Sequence, residues 1–246
     1  MYFKTLTGAT AFAVVLFAAG CSVPLPWRNE PVGEEVNLAF RIENNLLFLP
    51  TLRLDNRAGR FFLATAAPNT VIDPAFGLAQ SGPHLAAISE KQSLPLTPSF
   101  LDLRGTGDAM LGADVWGRHA ITIDYFSGLV TYQRAGIHRD GLTMFRFRDQ
   151  PELSVRVDGR DVLAVIDTTS PDTLVLPHST AGRGTAHIVI ANQDLGTTDV
   201  QYANVARARI GNRLLSKFLV TIDYGARVVG VWRDPRIRAA APAAGS

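Results

Sequence analysis

An internal repeat is the feature that most constrains how this chain can fold. Residues 61–74 (FFLATAAPNTVIDP) and residues 164–177 (AVIDTTSPDTLVLP) align without a gap, 103 positions apart. The sequence Thr-Ile-Asp-Tyr then occurs at residues 122–125 and again at 221–224, 99 positions apart. Two matches in the same order predict two homologous lobes, whose intervening loops differ in length by the difference between 103 and 99.

Both halves of the chain have the apolar patterns that are typical of β-strands. Polar and apolar residues alternate in NLAFRIE from position 37, and turn signals at residues 56–59 and at 158–159 lie between apolar runs, as in β-hairpins. These patterns predict an all-β fold with an N-terminal lobe at residues 37–135 and a C-terminal lobe at residues 142–233.

Two local features are expected between these strands. Residues 79–108 are polar and contain several Gly and Pro residues, which predicts a loop. After Gly112 the sequence predicts one short helical turn, with Asp114 as its capping residue.

One carboxylate distinguishes the two copies of the repeat. In the second copy an apolar run ends at Asp167, which enters a Thr/Ser turn before another apolar run begins. This order places the carboxylate in a loop that strands support on both sides. The first copy has Ala64 at the matching position. Asp167 is interpreted either as a carboxylate that accepts hydrogen bonds within its own turn, or as a catalytic or ligand-binding group.

The segments VIDTTSPDTLVL (165–176) and RIGNRLLSKFLVTIDY (209–224) resemble two elements of a retropepsin-like aspartic protease lobe, of the kind found in exported bacterial proteins. The resemblance implies that each half folds as one β-barrel lobe, so that the whole chain is a two-lobed, aspartic-protease-like structure. It also implies that Thr65 and Thr168 form hydrogen bonds across the interface between the lobes.

Catalysis in this family requires two carboxylates that share one proton, so that one acts as base and the other as acid on a water molecule. Asp167 is the candidate for one of them, but Ala64 occupies the position of the second, and a methyl group carries no proton. The family has a glycine beside each carboxylate, which lets the backbone bend tightly. Ala66 and Thr169 stand at those positions. The catalytic part of the motif is therefore lost, while the interface threonines are kept.

These residues predict a non-catalytic protein that holds an extended peptide, or a segment of a protein partner, in the cleft between the lobes by strand addition. Two alternatives stay open. In the first, the chain is an active aspartic endopeptidase in which Asp167 pairs with another acid or with Asp167 of a second molecule. In the second, it is a structural envelope lipoprotein without a ligand. Residues 105–107 and 182–184 are expected to lie in mobile segments over the cleft.

The N-terminal residues predict export and attachment to a membrane. Residues 1–20 have the charge and apolar run of a signal peptide, and small residues precede Cys21, which is the only cysteine. This resembles the lipobox of bacterial lipoproteins, although Ala18 stands where Leu is usual. Lipidated Cys21 would anchor the protein, and Ser22 favours the outer membrane, with the body facing the periplasm. Residues 21–36 are predicted to be a tether, and residues 234–246 a disordered tail.

Other classes of function fit the sequence poorly. The formal net charge of +2 over 246 residues implies no broad basic surface for nucleic acid. The five histidines lack paired spacing and the single cysteine excludes a thiolate zinc site, so no metal is predicted. The chain contains no G-x-S-x-G motif of a serine hydrolase. No cofactor is predicted.

Overall fold

The structure is a computed structural model, which describes residues 35–117, 119–133, 136–137 and 140–233. The predicted signal peptide (residues 1–20), the lipidation site Cys21 and the predicted tail (residues 234–246) lie outside the described residues. The first strand begins at Glu35, so Glu35 and Val36 belong to the folded body although the sequence places them at the end of the tether. Across this part of the chain, no helix has the length and apolar character that crossing a bilayer requires.

The described residues form short β-strands and three short helical turns. The first half contains β1 (Glu35–Ala39), β2 (Arg41–Glu43), β3 (Leu46–Phe48), β4 (Arg53–Leu54), β5 (Arg57–Ala58), β6 (Phe61–Leu63), β7 (Val71–Ile72), a 3₁₀ turn (Pro74–Phe76), β8 (His84–Ala87), β9 (Ser93–Leu96), β10 (Ser99–Phe100), β11 (Ala109–Leu111), α1 (Ala113–Trp116), β12 (Ala120–Asp124) and β13 (Leu129–Gln133). The second half contains β14 (Thr143–Arg146), β15 (Glu152–Val157), β16 (Arg160–Ile166), β17 (Leu174–Pro177), β18 (Gly182–Ile190), β19 (Gln193–Ala203), β20 (Ala208–Ile210), α2 (Asn212–Leu215), β21 (Leu219–Asp223) and β22 (Val228–Trp232). The prediction of an all-β fold is confirmed.

The two halves share one central sheet. Its six strands lie in the order β1-β13-β12-β21-β22-β14, so the first three come from the N-terminal half and the last three from the C-terminal half. Strands β12 and β21 meet in the middle as an antiparallel pair, with Thr122 opposite Thr221. The two hydroxyl oxygens are 3.0 Å apart and form a buried hydrogen bond. The two halves are therefore joined at β12 and β21 by both backbone and side-chain hydrogen bonds.

Each half also has strands of its own. The N-terminal half forms a six-stranded sheet (β10-β7-β11-β6-β3-β2) and a four-stranded sheet (β5-β4-β8-β9), whereas β15-β16-β20-β17-β19-β18 of the C-terminal half close into a barrel. In both halves a parallel pair leads into the turn of the repeat: Leu63 lies opposite Leu111, and Ile166 opposite Ile210. The main buried apolar cluster includes all four of these residues, so packing fixes both turns from beneath.

The β15–β16 hairpin illustrates how the sequence specifies these strands. The apolar, β-branched run of β16 suits a buried strand, and the hairpin turns at Asp158 and Gly159. Both residues have positive φ, 47° and 80°, as a two-residue hairpin turn requires.

Three local predictions were wrong. Residues 79–108 contain strands β8, β9 and β10 rather than only loop. In β8 the polar His84 is buried and Leu85 is exposed, whereas in β9 Ser93 and Pro95 alternate with buried leucines. Pro95 is accommodated because β9 is an edge strand. The β4–β5 hairpin turns at Asp55 and Asn56, both with positive φ, so it begins one position before the predicted turn at 56–59. The N-cap of α1 is Gly112 without a side-chain bond, and Asp114 instead accepts a hydrogen bond from the Thr70 hydroxyl.

Candidate functional site

The two turns of the repeat meet at Thr65 and Thr168, both of which are buried. The Thr65 hydroxyl donates to the carbonyl oxygen of Ile166 (2.7 Å), and the Thr168 hydroxyl donates to that of Leu63 (2.7 Å). The backbone N–H of each threonine in turn donates to the hydroxyl oxygen of the other, at 3.1 and 3.2 Å. Four hydrogen bonds therefore connect the turns reciprocally, and each hydroxyl is satisfied as both donor and acceptor.

Two half-buried tyrosines extend this network, one on each side. Tyr224 donates directly to the carbonyl oxygen of Thr65 at 3.0 Å. Tyr125 donates to the Asn212 side-chain oxygen (2.8 Å), and the Asn212 amide nitrogen donates to the carbonyl oxygen of Thr168 (2.7 Å). Burial raises the pKa of both tyrosines, so their hydroxyls stay protonated and keep donating over the physiological pH range.

Ala64 and Asp167 occupy matching positions in the backbone of the two turns. The N–H of Ala64 donates to the carbonyl oxygen of Leu111 (2.9 Å), and that of Asp167 to the carbonyl oxygen of Ile210 (3.0 Å). The carbonyl oxygen of Ala64 then accepts from Ala67 N–H, as that of Asp167 accepts from Ser170 N–H. Ala64 is completely buried. The structure thus places a methyl group in one turn where the other has a carboxylate.

Neither turn has a glycine at the position where the sequence resemblance implies one. Ala66 and Thr169 are not among the residues with positive φ, so neither turn needs glycine's conformational freedom at those positions. Close packing matters instead at Gly112 and Gly211, which precede α1 and α2. A Cβ at Gly211 would lie 2.2 Å from the carbonyl oxygen of Asp172, and a Cβ at Gly112 2.5 Å from main-chain atoms of Asn69. Each glycine lets a short helix approach the turn closely.

The Asp167 carboxylate is buried and has partners at both oxygens. Its Oδ1 accepts hydrogen bonds from the Thr169 N–H (3.0 Å) and from the Thr169 hydroxyl. Its Oδ2 lies 3.5 Å from Nη1 of Arg209. Oδ1 therefore accepts hydrogen bonds within its own turn, as one of the two sequence interpretations predicts. Oδ2 instead faces the guanidinium group of Arg209 on the neighbouring strand β20.

A partly open pocket of about 360 Å³ lies beside these turns. Met110, Ala66 and Ala67 line it from the first half, and Val165, Asp167 and Thr169 from the second. The remaining wall consists of polar and small residues, which are Gln150, Ala206, Arg207 and Arg209. Among the described residues that line the pocket, Asp167 is the only carboxylate. Ala64 does not line it.

Sequence reasoning missed the polar residues of this wall. Gln150 donates to the carbonyl oxygen of Ala66 at 2.8 Å and so joins the second half to the first turn. Arg207 contacts the nearly buried carboxylate of Glu152 at 3.4 Å. The signal was present in the repeat, because Arg207 and Arg209 match Asp108 and Met110 at the offset of 99. Arginine therefore stands at both of these matched positions in the second copy only.

Other predicted features lie elsewhere. Gly182 and Gly184, expected in a segment over the cleft, are in strand β18 and pair with Tyr202 and Val200 of β19. The described histidine with the closest ion-pair partner is His84, whose buried ring lies 2.6 Å from Asp55. No group of His, Cys, Asp and Glu side chains suited to a metal ion occurs among the described residues.

Comparison with protein-family models gives no match for this chain. Comparison with curated protein sequences gives none either.

Proposed function

We propose that this chain is a non-catalytic protein with a retropepsin-like, two-lobed fold, which binds an extended peptide in the cleft between its lobes. The single observation that carries the proposal is the difference between the two matching turns, Ala64 in one and Asp167 in the other. Hydrolysis in the aspartic protease manner needs two carboxylates that share a proton. A pocket with one carboxylate cannot supply both the acid and the base.

The two-lobed interpretation is supported by matching contacts at the offsets of the repeat. The parallel pairs β6–β11 and β16–β20 have the same register, and Thr122 lies opposite its own match, Thr221. The Thr65–Thr168 bonds are reciprocal in the way that two related turns facing one another would make them. Duplication explains all of these correspondences with one event.

The partners of Asp167 also support a non-catalytic role. A general base needs a carboxylate oxygen that is free to take a proton from water. Oδ1 is held by Thr169, and Oδ2 faces the guanidinium of Arg209. The carboxylate therefore serves to fix the turn and to orient Arg209 at the pocket wall.

The pocket has the features of a peptide site. Its volume falls near the lower end of the ~300–1,000 Å³ range of ligand pockets. Ala66, Ala67, Met110 and Val165 offer apolar surface, and Gln150, Thr169 and the arginines offer polar groups. An extended peptide uses both kinds of surface, because its side chains alternate while its backbone donates and accepts hydrogen bonds.

A binding experiment with an unfolded protein tests this proposal. The full chain in detergent is titrated into fluorescein-labelled casein, and fluorescence anisotropy is measured. We expect saturable binding that Ala67→Trp weakens about tenfold or more, because the indole would fill the pocket. Ala226→Trp, at an exposed alanine outside the pocket, is the matched control and should bind as the unmodified chain does. Absence of saturable binding would contradict the proposal.

We also propose that the protein is an outer-membrane lipoprotein whose folded body faces the periplasm. The support is in the sequence, where small residues precede the only cysteine, Cys21, at the end of an export signal. A tethered peptide-binding body would act on exported chains close to the membrane.

A further inference from the structure

The pocket beside Asp167 has two chemically different walls at positions that match in the repeat. Met110 on β11 and Arg209 on β20 correspond to one another and both line the pocket. The Met110 wall is apolar and continues onto Phe62 and Phe48, which lie beside it across β6 and β3. The Arg209 wall is cationic. One pocket therefore offers apolar contact on one side and positive charge on the other.

The charge on the second wall comes from two neighbouring arginines. Arg209 is in β20 and Arg207 is in the bend that precedes this strand, and both side chains line the pocket. About half of each side chain is exposed. Each guanidinium touches a carboxylate through Nη1 only at a long distance, 3.4 Å to Glu152 and 3.5 Å to Asp167. A guanidinium carries five N–H donors, so these contacts occupy a small part of its capacity.

From this arrangement we propose that the pocket recognises the C-terminus of a peptide. Its terminal carboxylate would bind across Arg207 and Arg209, and its last apolar side chain would pack between Met110 and Val165. This inference rests on the proposed function and specifies the ligand of the same site.

Three observations favour a chain end over the middle of a chain. A carboxylate matches the planar donor geometry of arginine and forms paired, charge-assisted hydrogen bonds with it. An internal peptide bond offers only a neutral carbonyl oxygen to the same donors. The pocket's volume of about 360 Å³ also suits a terminal residue better than a long extended segment.

The fixed carboxylates do not exclude this binding mode. Glu152 is nearly buried behind Arg207, and Asp167 is held at Oδ1 by Thr169. Each acid contacts its arginine at one nitrogen only and leaves the exposed part of the guanidinium group to an incoming anion. They also set a limit on affinity, since the entering carboxylate adds a negative charge to a nearly balanced group.

Paired peptide pools test the inference. Two pools of fluorescein-labelled pentapeptides with mixed sequences ending in Leu are prepared, one with a free C-terminal carboxylate and one with a C-terminal amide. The full chain in detergent is titrated into each pool at low salt, and anisotropy is measured. We expect the acid pool to bind at least about tenfold more tightly than the amide pool.

Variants test whether the two arginines cause the preference for the acid pool over the amide pool. Arg209→Met and Arg207→Met should reduce the preference for the acid pool to less than about threefold. Arg209→Lys keeps a charge beside Asp167 but loses the planar fork, and should give an intermediate preference. Arg156→Met removes an exposed arginine that pairs with Asp161 outside the pocket, and should leave the preference unchanged. Melting temperatures identify any variant that fails to fold. If the methionine variants do not fold, the reduced preference of Arg209→Lys for the acid pool is the test.

The outcomes separate this inference from the proposed function. Equal binding of the acid and amide pools, with casein still bound, would overturn the C-terminus inference and leave the proposed function standing. If casein and both pools fail to bind, the proposed function fails as well. N-acetylleucine should displace the acid pool, whereas inorganic phosphate at the same concentration should not. Equal displacement by phosphate would indicate a general anion site and would contradict recognition of a chain end.

Discussion

The side-chain oxygens of Thr65 and Thr168 lie 3.4 Å apart, and each hydroxyl donates its proton to a carbonyl oxygen beside the other threonine. Since a hydroxyl has one proton, the short distance between the two oxygens is a contact rather than a further hydrogen bond. The pair joins the two turns on which Ala64 and Asp167 stand, and so fixes the geometry of the pocket.

Substituting Thr168 by Val should destabilise the fold strongly. The change keeps the side chain's shape but removes a donor to Leu63 O and an acceptor for Thr65 N–H, both of them buried. Two unsatisfied groups at about 1–3 kcal/mol each predict a loss of about 2–6 kcal/mol in the free energy of unfolding. Urea denaturation measures it. Thr131→Val, at a threonine whose hydroxyl bond to Asn37 is exposed, is the control and should cost much less. Equal effects of the two substitutions would contradict the structural role.

Restoring a carboxylate with Ala64→Asp should destabilise the protein, and more so at neutral than at acidic pH. The position is completely buried, so the charged form of the new group is disfavoured and its pKa in the folded state is raised. A raised pKa means that stability is lost as pH increases above the unfolded value of about 3.9. Unfolding curves at pH 4 and pH 7 give the comparison, with Ala64→Ser as the uncharged control. A variant equally stable at both pH values would show that the buried site tolerates the charge.

The Asp55–His84 pair should make stability depend on acidic pH. Desolvation by burial raises the pKa of Asp55. The hydrogen bonds from His84 and from the Leu85 N–H lower it, as does the charge of His84, and together they outweigh desolvation, so the pKa lies below 3.8. A group with a lowered folded pKa stabilises the fold above its unfolded pKa, and loses this effect as pH falls through the folded value.

The comparison of Asp55→Asn with the unmodified chain tests this pH dependence. The difference between their free energies of unfolding should shrink as the pH falls below about 3.8. Asp161→Asn, at an exposed carboxylate, controls for the general effect of removing one negative charge. A difference that stays constant down to pH 3 would contradict the assigned hydrogen bonds.

Cys21→Ser should abolish lipid attachment. The thiol of Cys21 is the only one in the chain, so its loss removes the acceptor of the lipid. Incorporation of a labelled fatty acid, followed by membrane fractionation, measures the effect. Ser22→Ala, at the next residue, should still be labelled. Equal labelling of the Cys21→Ser variant and the unmodified chain would contradict the lipoprotein prediction.

The repeat made part of the site predictable. Period-2 patterns and turn residues indicated an all-β fold, and the gapless alignment of the two turns paired Thr65 with Thr168 and Ala64 with Asp167. Strands β8 and β9 were not predictable in the same way, because β8 buries the polar His84 and exposes Leu85, and β9 contains Pro95. Burial of β8 depends on pairing with β4, which is distant in the chain.

The arginine wall was missed for a different reason. Arg207 and Arg209 are ordinary surface residues in a linear reading, since Lys and Arg are mostly exposed. They become part of a site only when parallel pairing places β20 beside β16, with Arg209 opposite Val165, and so brings them to the edge of the Asp167 turn. That pairing joins segments more than forty positions apart, and no local pattern encodes it.

The most direct test of a non-catalytic protein is hydrolysis of labelled casein by the full chain between pH 3 and pH 7, with and without pepstatin. Asp167→Asn is measured beside it, and an active aspartic protease serves as the positive control. The missing second carboxylate predicts no hydrolysis above background at any pH, and no difference between the variant and the unmodified chain. Pepstatin-sensitive hydrolysis that Asp167→Asn abolishes would contradict this account and identify the protein as an active aspartic endopeptidase.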